Sequence, residues 1–334
     1  MKLGFALGGA ALALGMSEVA GRVYAGLARK ERILTADAIL GWRPIPGAVQ
    51  FDDDLYPHLI EINSQGLRDR EYTYARTPNV GRIVVLGDSV VFGSGGVDAD
   101  KCFTELLEES LPGVEVINLG VPAFSTDQEY LYLREEGLRY RPDVVVLCLF
   151  SNDFDPCFTS YCDSNGKPKG YVSLQGDRLV FHDPPELGWW DRLAYASYLF
   201  GLADRRLSLS ARFHERSRRE ANLDPAARLR TYEALLDEVV TLCEEHETSP
   251  VMVYIPSKAQ TLNTSVQQAM HTVAERRTVW ALDLTRRESF ANGSRQRFYF
   301  ERDLHLNEAG HRAVADALQE LLADRIGSPV VRGP

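Results

Sequence analysis

The sequence predicts an α/β protein with a doubly wound parallel sheet, of the flavodoxin-like three-layer α/β/α type. Three short runs, 83–86, 114–119 and 144–150, are almost continuously apolar. Strands of this composition are buried on both faces, as in parallel sheets that helices cover. Helical spacing of apolar residues separates each run from the next. Strands that alternate with helices in this way form right-handed βαβ units.

Residues 1–32 are predicted to be a cleaved signal peptide or a retained membrane-anchor helix. Met1-Lys2 gives a positive start, and residues 3–16 form an uncharged apolar run. This run is shorter than the ~20 residues of a transmembrane helix and fits the core of a signal peptide. Val23-Tyr24-Ala25 offers small residues for cleavage, yet helical spacing continues to Ile33. Both alternatives predict an exported protein, periplasmic or extracellular.

Residues 33–81 are expected to form an arm that packs against the main domain. Pro44, Pro46 and several glycines interrupt short alternating runs, which indicates hairpins and turns rather than a helix. Trp42 and Arg68 in this arm could reach a substrate groove. Packing and turn roles are the more common explanation for such residues.

The main domain is placed at 82–325, with a short tail at 326–334. Its predicted elements are strands at 82–87, 114–119, 144–150, 251–255 and 278–284, and helices at 100–111, 126–140, 225–246, 258–277 and 307–322. Pro112-Gly113 ends the first of these helices, and Ser125 or Thr126 caps the second. Asn307 is expected to cap the last helix.

The alternation of strands and helices lapses between residues 155 and 224. A structureless segment of that length is unusual, so we expect a helical insertion that overhangs the end of the third strand. Trp189 and Trp190 begin an aromatic cluster that could line a sugar or acyl groove, or form a small satellite core. The arginines between 205 and 219 suit a solvated face, or a surface against anionic lipid or glycan.

The composition of the chain and the positions of its cysteines argue against nucleic-acid-binding and zinc-binding proteins. The net charge of −10 over 334 residues argues against nucleic acid as a partner, because such proteins need a basic face. Cys157 and Cys162 lie close together in a polar loop, and a disulfide between them is possible in an oxidising compartment. Cys148 and Cys243 suit apolar core positions. The Cys and His spacing does not resemble a zinc site, and no metal or organic cofactor is expected.

Polar residues follow the first three strands at the sheet edge where open α/β proteins bind ligands. Ser89 follows the first strand, Gly120 the second and Asn152 the third. A serine nucleophile needs a base, and His305 is the candidate, with Asp303 as the partner of its second ring nitrogen.

A tetrahedral intermediate needs hydrogen-bond donors for its oxyanion. The backbone N–H groups of Ser89 and Gly120 and the side-chain amide of Asn152 could supply them. Glycine at position 120 suits a backbone that approaches a ligand closely. Candidate substrate contacts are Asp88, Trp189 and Trp190.

At these residues the sequence resembles the SGNH, or GDSL, hydrolase superfamily. The resemblance covers 82–322 apart from the insertion, and it rests on Gly87-Asp88-Ser89, Asn118-Leu119-Gly120, Ser151-Asn152-Asp153 and Asp303-Leu304-His305. It implies a serine nucleophile at Ser89, oxyanion donors at Gly120 and Asn152, and a base at His305.

Two of the four blocks depart from the family pattern. Phe150 stands where the family usually has glycine, two residues before Asn152. Between Asp303 and His305 there is one residue, where the family usually has two. The shorter spacing changes how the carboxylate approaches the imidazole, so Glu301 or a backbone carbonyl remains an alternative partner.

The sequence therefore predicts an exported serine esterase that acts on an O-acetylated carbohydrate or a small acyl ester. A polysaccharide O-acetyltransferase is an alternative, because Asp303, His305 and Asn307 resemble the motif of SGNH-like acetyltransferases that decorate exported polysaccharides. A second alternative is a non-catalytic, membrane-tethered glycan-binding or scaffold protein, since fold alone does not determine function.

Overall fold

The computed structural model describes residues 2–27, 32–52, 55–162, 166–207, 223–258, 264–290 and 295–326. An N-terminal helix precedes two antiparallel hairpins, and the elements of this region are α1 (Lys2–Leu27), β1 (Leu34–Asp37), β2 (Gly41–Pro44), β3 (Val49–Asp52) and β4 (His58–Glu61). The hairpins agree with the turns that proline and glycine predict in this region. None of the described helices has the length and apolar character needed to cross a bilayer.

The main domain follows the arm. In chain order its elements are β5 (Gly81–Gly87), α2 (Ser89–Phe92), α3 (Phe103–Ser110), β6 (Val114–Gly120), α4 (Thr126–Glu135), β7 (Val144–Leu149), β8 (Tyr171–Gln175), β9 (Arg178–His182), α5 (Trp189–Ala196), α6 (Tyr198–Leu207), α7 (Pro225–Glu245), β10 (Ser249–Tyr254), α8 (Ser265–Arg277), β11 (Trp280–Asp283) and α9 (Glu308–Ile326). Short 3-10 turns connect several of them.

Five strands form one parallel sheet in the order β6-β5-β7-β10-β11. Numbered along the sheet's own strands, this order is 2-1-3-4-5, the flavodoxin-like arrangement. The predicted α/β class and parallel sheet are therefore confirmed. The strand order reverses between β5 and β7, and ligands bind beyond the carboxyl ends of the strands at such a point.

Alternate side chains of the central strands enter two separate cores. On β5, Val84 and Leu86 pack into the core that α4, α7 and α8 cover. Ile83 and Val85 pack into the core that α3 and α9 cover on the opposite face. Full burial of each such side chain contributes about 1.5–3 kcal/mol. This two-sided burial is why the strand is apolar throughout.

In its described part, the insertion contains the antiparallel hairpin β8–β9 and the helices α5 and α6. The carboxylate of Glu18 on α1 accepts the N–H groups of Leu199 and Tyr198 at the start of α6, at 3.0 and 2.6 Å. These backbone hydrogen bonds lower the pKa of Glu18 to about 2. The N-terminal helix is thus bound to the insertion. Of the basic face predicted at 205–219, Arg205 and Arg206 belong to α6, and the arginines from 212 to 219 lie outside the described residues.

The disulfide predicted between Cys157 and Cys162 is not formed. The thiol of Cys157 donates to the carbonyl oxygen of Asp153 at 3.0 Å, and the thiol of Cys162 donates to that of Ala123 at 3.7 Å. All five cysteines are buried thiols. Burial raises the pKa of the Cys157 thiol, which keeps it protonated. The polar composition around this pair suggested an exposed loop, whereas both side chains lie in the core.

Candidate active site

Ser89 and Asn152 lie on either side of the point where the strand order reverses. Ser89 is the first residue of α2, directly after β5, and Asn152 follows β7. The two side chains that were predicted to follow the strands therefore lie at the same edge of the sheet. His305 reaches the same edge from the loop that precedes α9.

A chain of hydrogen bonds joins three of the predicted residues. The Nε2 atom of His305 lies 2.8 Å from Oγ of Ser89. Its Nδ1 atom lies 2.5 Å from Oδ1 of Asp303. With the proton on Nδ1, the ring donates to the carboxylate and its Nε2 accepts from the serine hydroxyl. The side chains of His305 and Asp303 are 26% and 18% exposed, so the chain ends at an accessible surface.

Asp303 is held as a carboxylate. Burial acts to raise its pKa, but hydrogen bonds from the N–H groups of His305 and Leu304 and the interaction with the imidazole outweigh burial, so the pKa lies below its usual 3.8. The same Oδ1 accepts the backbone N–H of His305 at 2.9 Å. One oxygen therefore contacts both the backbone and the ring of His305, which a spacing of one residue allows. Glu301, the alternative partner, is exposed.

Asp88 lies beneath these residues and organises them. Its Oδ1 accepts the N–H of Val90 at 2.8 Å, which caps α2. Its Oδ2 accepts the side-chain amide of Asn152 at 2.9 Å. Asp88 is 2% exposed, so the predicted substrate contact is wrong. One N–H of the Asn152 amide is used in this bond and the other is left for a ligand.

The N–H of Gly120 is already engaged inside the protein. It donates to Oδ1 of Asn118 at 2.8 Å. A β-carbon at position 120 would overlap the backbone nitrogen of Phe92, so glycine is needed for α2 to pack against β6. This geometry does not favour the predicted oxyanion role of Gly120, because its N–H is bonded to Asn118 and its missing β-carbon makes room for α2.

The loop between β6 and α4 offers another backbone donor. Val121 donates to the carbonyl of Gly87, and Pro122 has no N–H. No acceptor among the described residues takes the N–H of Ala123, which has a φ of +65°. The N–H of Ser89 likewise has no acceptor in the described part of the chain. No sequence signal marked Ala123, because alanine does not favour this left-handed conformation.

The predicted aromatic contacts lie elsewhere in the molecule. The rings of Trp189 and Trp190 pack together, and that of Trp190 packs on Phe200 within the helical pair α5–α6. No contact with Ser89 or His305 is found for either tryptophan in the described residues. Trp190 is partly buried in this cluster, whereas Trp189 is 65% exposed. The cluster is therefore only partly a satellite core, and substrate binding by these tryptophans stays a prediction.

A cavity of about 470 Å³ lies in the insertion, away from the hydrogen-bond chain of Ser89. It is lined by Ser160, Tyr171, His182, Asp183, Pro184, Pro185 and Glu186. None of these residues belongs to the chain of Ser89, His305 and Asp303.

Two buried acids that the sequence did not single out lie near Asp88. Both carboxylate oxygens of Glu129 and Oδ1 of Asp153 find no hydrogen-bond partner among the residues that the structure describes. Burial, and then the charges of Asp153, Asp88 and Asp127, raise the pKa of Glu129 well above its usual value. Among the residues that the structure describes, no group of three or more His, Cys, Asp or Glu is arranged to hold a metal ion.

The comparisons with known proteins point to one family. A family model described as the GDSL-like lipase/acylhydrolase family matches residues 85–313. No curated protein matches the chain.

Similar solved structures include a protein described as lipolytic, of the G-D-S-L family, from Desulfitobacterium hafniense. It is 12% identical, with 72% of this chain and 99% of that chain covered and a TM-score of 0.44. A psychrotrophic esterase from Pseudoalteromonas sp. is 10% identical (74% and 100% covered, TM-score 0.44). A lipase/acylhydrolase from Enterococcus faecalis is 16% identical (74% and 97% covered, TM-score 0.44). These low values assign neither an activity nor a substrate.

Proposed function

The chain belongs to the GDSL-like lipase/acylhydrolase family, and on this premise we propose that it hydrolyses esters through a triad of Ser89, His305 and Asp303. One observation carries the proposal: the imidazole of His305 bonds Ser89 through one nitrogen and Asp303 through the other. A base that is hydrogen-bonded to the nucleophile and oriented by a carboxylate is the arrangement that activates a serine.

In the acylation step, Oγ of Ser89 attacks the acyl carbon of the ester while Nε2 of His305 takes the hydroxyl proton. Asp303 remains ionised and stabilises the imidazolium that forms. The low pKa of Asp303 supports this role, because the carboxylate must not take the proton itself. His305 then gives the proton to the oxygen of the leaving alcohol.

The oxyanion of the tetrahedral intermediate is held by three donors in this proposal. They are the backbone N–H groups of Ser89 and Ala123 and the second N–H of the Asn152 amide. Each is free of an acceptor or has an N–H to spare in the described structure. Gly120 is left out because its N–H bonds Asn118.

Water resolves the acyl-enzyme by the same route in reverse. His305 removes a proton from water, the hydroxide oxygen attacks the acyl carbon, and Oγ of Ser89 leaves and recovers its proton. We propose an O-acetylated carbohydrate or a small acyl ester as the substrate class. If a sugar hydroxyl replaces water in this step, the same residues catalyse acyl transfer.

We further propose that the protein is exported. The uncharged apolar run at 3–16 after a lysine suits a signal-peptide core. Cleavage after Ala25 would remove the contact between Glu18 and α6. The mass of the N-terminal peptide, measured on protein recovered from each cell fraction, tests both points. Recovery in the cytoplasm alone would contradict export.

Hydrolysis of p-nitrophenyl acetate by the full chain and by Ser89→Ala tests the triad. We expect kcat to fall by on the order of 10³-fold or more in the variant. Labelling of Ser89 by a fluorophosphonate probe provides a second readout, because it needs an activated serine but little substrate fit. A wild-type protein that is neither labelled at Ser89 nor faster than Ser89→Ala would overturn the proposal. Addition of a glycan acceptor, followed by mass analysis, separates hydrolysis from acyl transfer.

A further inference from the structure

The arm buries an arginine, Arg68, that has no carboxylate partner in the described part of the chain. Arg68 is 3% exposed, and no acidic side chain within the described residues forms a salt bridge with it. Its guanidinium instead donates to backbone carbonyls: Nη1 to those of Phe92 and Gly93, at 3.0 and 2.5 Å, and Nη2 to that of Val97 at 2.5 Å. A charge buried in this way is costly, so a specific role is expected at this position.

The three carbonyls belong to the last residue of α2 and the loop after it, residues 92–97, which follow the proposed nucleophile and are called the loop 92–97 below. The loop turns sharply because Gly95 and Gly96 have φ values of +96° and +122°. Such a turn leaves carbonyls without partners from a helix or a sheet, and buried carbonyls need donors. Arg68 supplies N–H groups in a rigid planar arrangement, which fixes the loop more firmly than a single flexible donor could.

The same loop lies directly against His305. A β-carbon built on Gly95 would come within 2.7 Å of Cβ and 3.3 Å of Nδ1 of His305, so the loop backbone packs on the imidazole. The N–H of Ser94 donates to the carbonyl of Ser89 at 2.9 Å. The loop therefore contacts both members of the proposed pair, the nucleophile through its backbone and the base through its ring.

We propose that Arg68 is a positioning residue: it fixes the loop 92–97 against the imidazole of His305, and through that contact it sets the distance between His305 and Ser89. This inference rests on the proposed function of Ser89 and His305. Arg68 itself touches neither substrate nor reacting atoms. A displacement of about 1 Å in a reacting group can lower a rate by about 10²-fold, so the effect is large enough to measure.

The test compares Arg68→Lys and Arg68→Met with wild type. Each variant is assayed for kcat and KM on p-nitrophenyl acetate, for the rate of fluorophosphonate labelling at Ser89, and for thermal unfolding by circular dichroism. All rates are measured at a temperature where the variant is folded. We expect kcat and the labelling rate to fall together by about 10²-fold in Arg68→Met, with KM changed by less than about threefold. Arg68→Lys retains a charged donor and should recover part of the loss.

Arg70→Met is the matched control. Arg70 is two residues away, exposed, and paired with Glu105 and Glu108 rather than with the loop. Its loss should lower the unfolding temperature without lowering kcat. If Arg68→Met also lowers only the unfolding temperature, with kcat and labelling equal to those of Arg70→Met, Arg68 is structural and the proposal is overturned.

Gly95→Ala tests the same contact without changing Arg68, and decides the matter if the Arg68 variants do not fold. Gly113→Ala is its control, since Gly113 has a similar φ of +79° but no atom within 4 Å of its built β-carbon. We expect kcat to fall in Gly95→Ala alone. Equal kcat in the two glycine variants would overturn the proposal. Failure of the triad itself is distinguished by a wild-type protein that is not labelled at Ser89.

Discussion

The side-chain amide of Asn152 donates to the carboxylate of Asp88 at 2.9 Å, and this bond ties the end of β7 to the start of α2. Asp88 thereby fixes both the helix that carries Ser89 and the amide that we propose as an oxyanion donor. The carboxylate of Asp88, next to the proposed nucleophile, therefore has a structural role: it binds Val90 and Asn152 rather than substrate.

Replacement of Asn152 by alanine should lower kcat by about 10²–10³-fold, the usual loss for one oxyanion donor. The unfolding temperature should also fall, because the buried Oδ2 of Asp88 loses its donor, so kcat is measured at a temperature where the variant is folded. Asp88→Asn separates the two roles of Asp88. Its oxygen can still cap α2, but its NH₂ group faces the amide of Asn152, so kcat should fall while the cap is kept. Unchanged kcat in both variants would remove Asn152 from the mechanism.

Asp303→Asn should lower kcat by up to about 10⁴-fold, as loss of the orienting carboxylate does in serine triads. The neutral amide can no longer stabilise the imidazolium of His305. Glu301→Gln is the control, because Glu301 is nearby, acidic and exposed. Steady-state hydrolysis of p-nitrophenyl acetate measures both. A larger loss in Glu301→Gln than in Asp303→Asn would mean that the alternative partner is the true one.

Glu129→Gln should stabilise the protein at alkaline pH and leave it unchanged in acid. Below the ordinary pKa of 4.5, the folded and unfolded states are both protonated at Glu129. Above it, the unfolded chain releases the proton while the folded protein keeps it, so the free energy of unfolding falls as pH rises, by at most about 1.4 kcal/mol per pH unit. The loss continues until the raised pKa of the folded state is reached.

Unfolding temperatures of Glu129→Gln and wild type at pH 4 and pH 8 measure this effect. Glu135→Gln, an exposed position on the same helix, provides the control and should show no difference between the two pH values. A stabilisation of equal size at both pH values would show that Glu129 does not carry a raised pKa.

Reducing agent should not change the unfolding temperature. Loss of a disulfide costs typically about 2–4 kcal/mol, whereas the five cysteines here are buried thiols. Thiol titration after denaturation without reductant should give five thiols for the full chain. A count two lower, with a drop in stability on reduction, would restore the bridge between Cys157 and Cys162.

The strands and the edge of the sheet where ligands bind could be predicted from the sequence because the physics involved is local. A run such as 83–86 is apolar on both sides only when helices cover both faces of a sheet. Once the strands are parallel, Ser89 and Asn152 must lie at one edge. The hydrogen bond between Asp303 and His305 could also be predicted, because in a turn one carboxylate oxygen can accept both the backbone N–H and the ring N–H of the residue two positions later.

The N–H groups that are free to bind the oxyanion could not be predicted from the sequence in the same way. Whether the N–H of Gly120 or that of Ala123 is free depends on which partner each finds in the folded protein. Gly120 loses its N–H to Asn118, and its missing side chain makes room for α2. The glycine pattern alone is the same whether a ligand or a helix approaches. The roles of Arg68 and Asp88 likewise depend on contacts that chain spacing does not encode.

Ser89 and His305 are 216 residues apart, whereas Arg68 and Val97 are separated by only 29. Because the entropy cost of closing a loop rises with the logarithm of its length, the contact between His305 and Ser89 costs about 2 kcal/mol more chain entropy than the contact between Arg68 and Val97. A chain that stopped before residue 303 would contain Arg68, Ser89 and the loop 92–97 but neither Asp303 nor His305. Under the proposed mechanism such a truncated chain has the nucleophile without its base, so a C-terminal truncation should abolish activity even where Ser89 is retained.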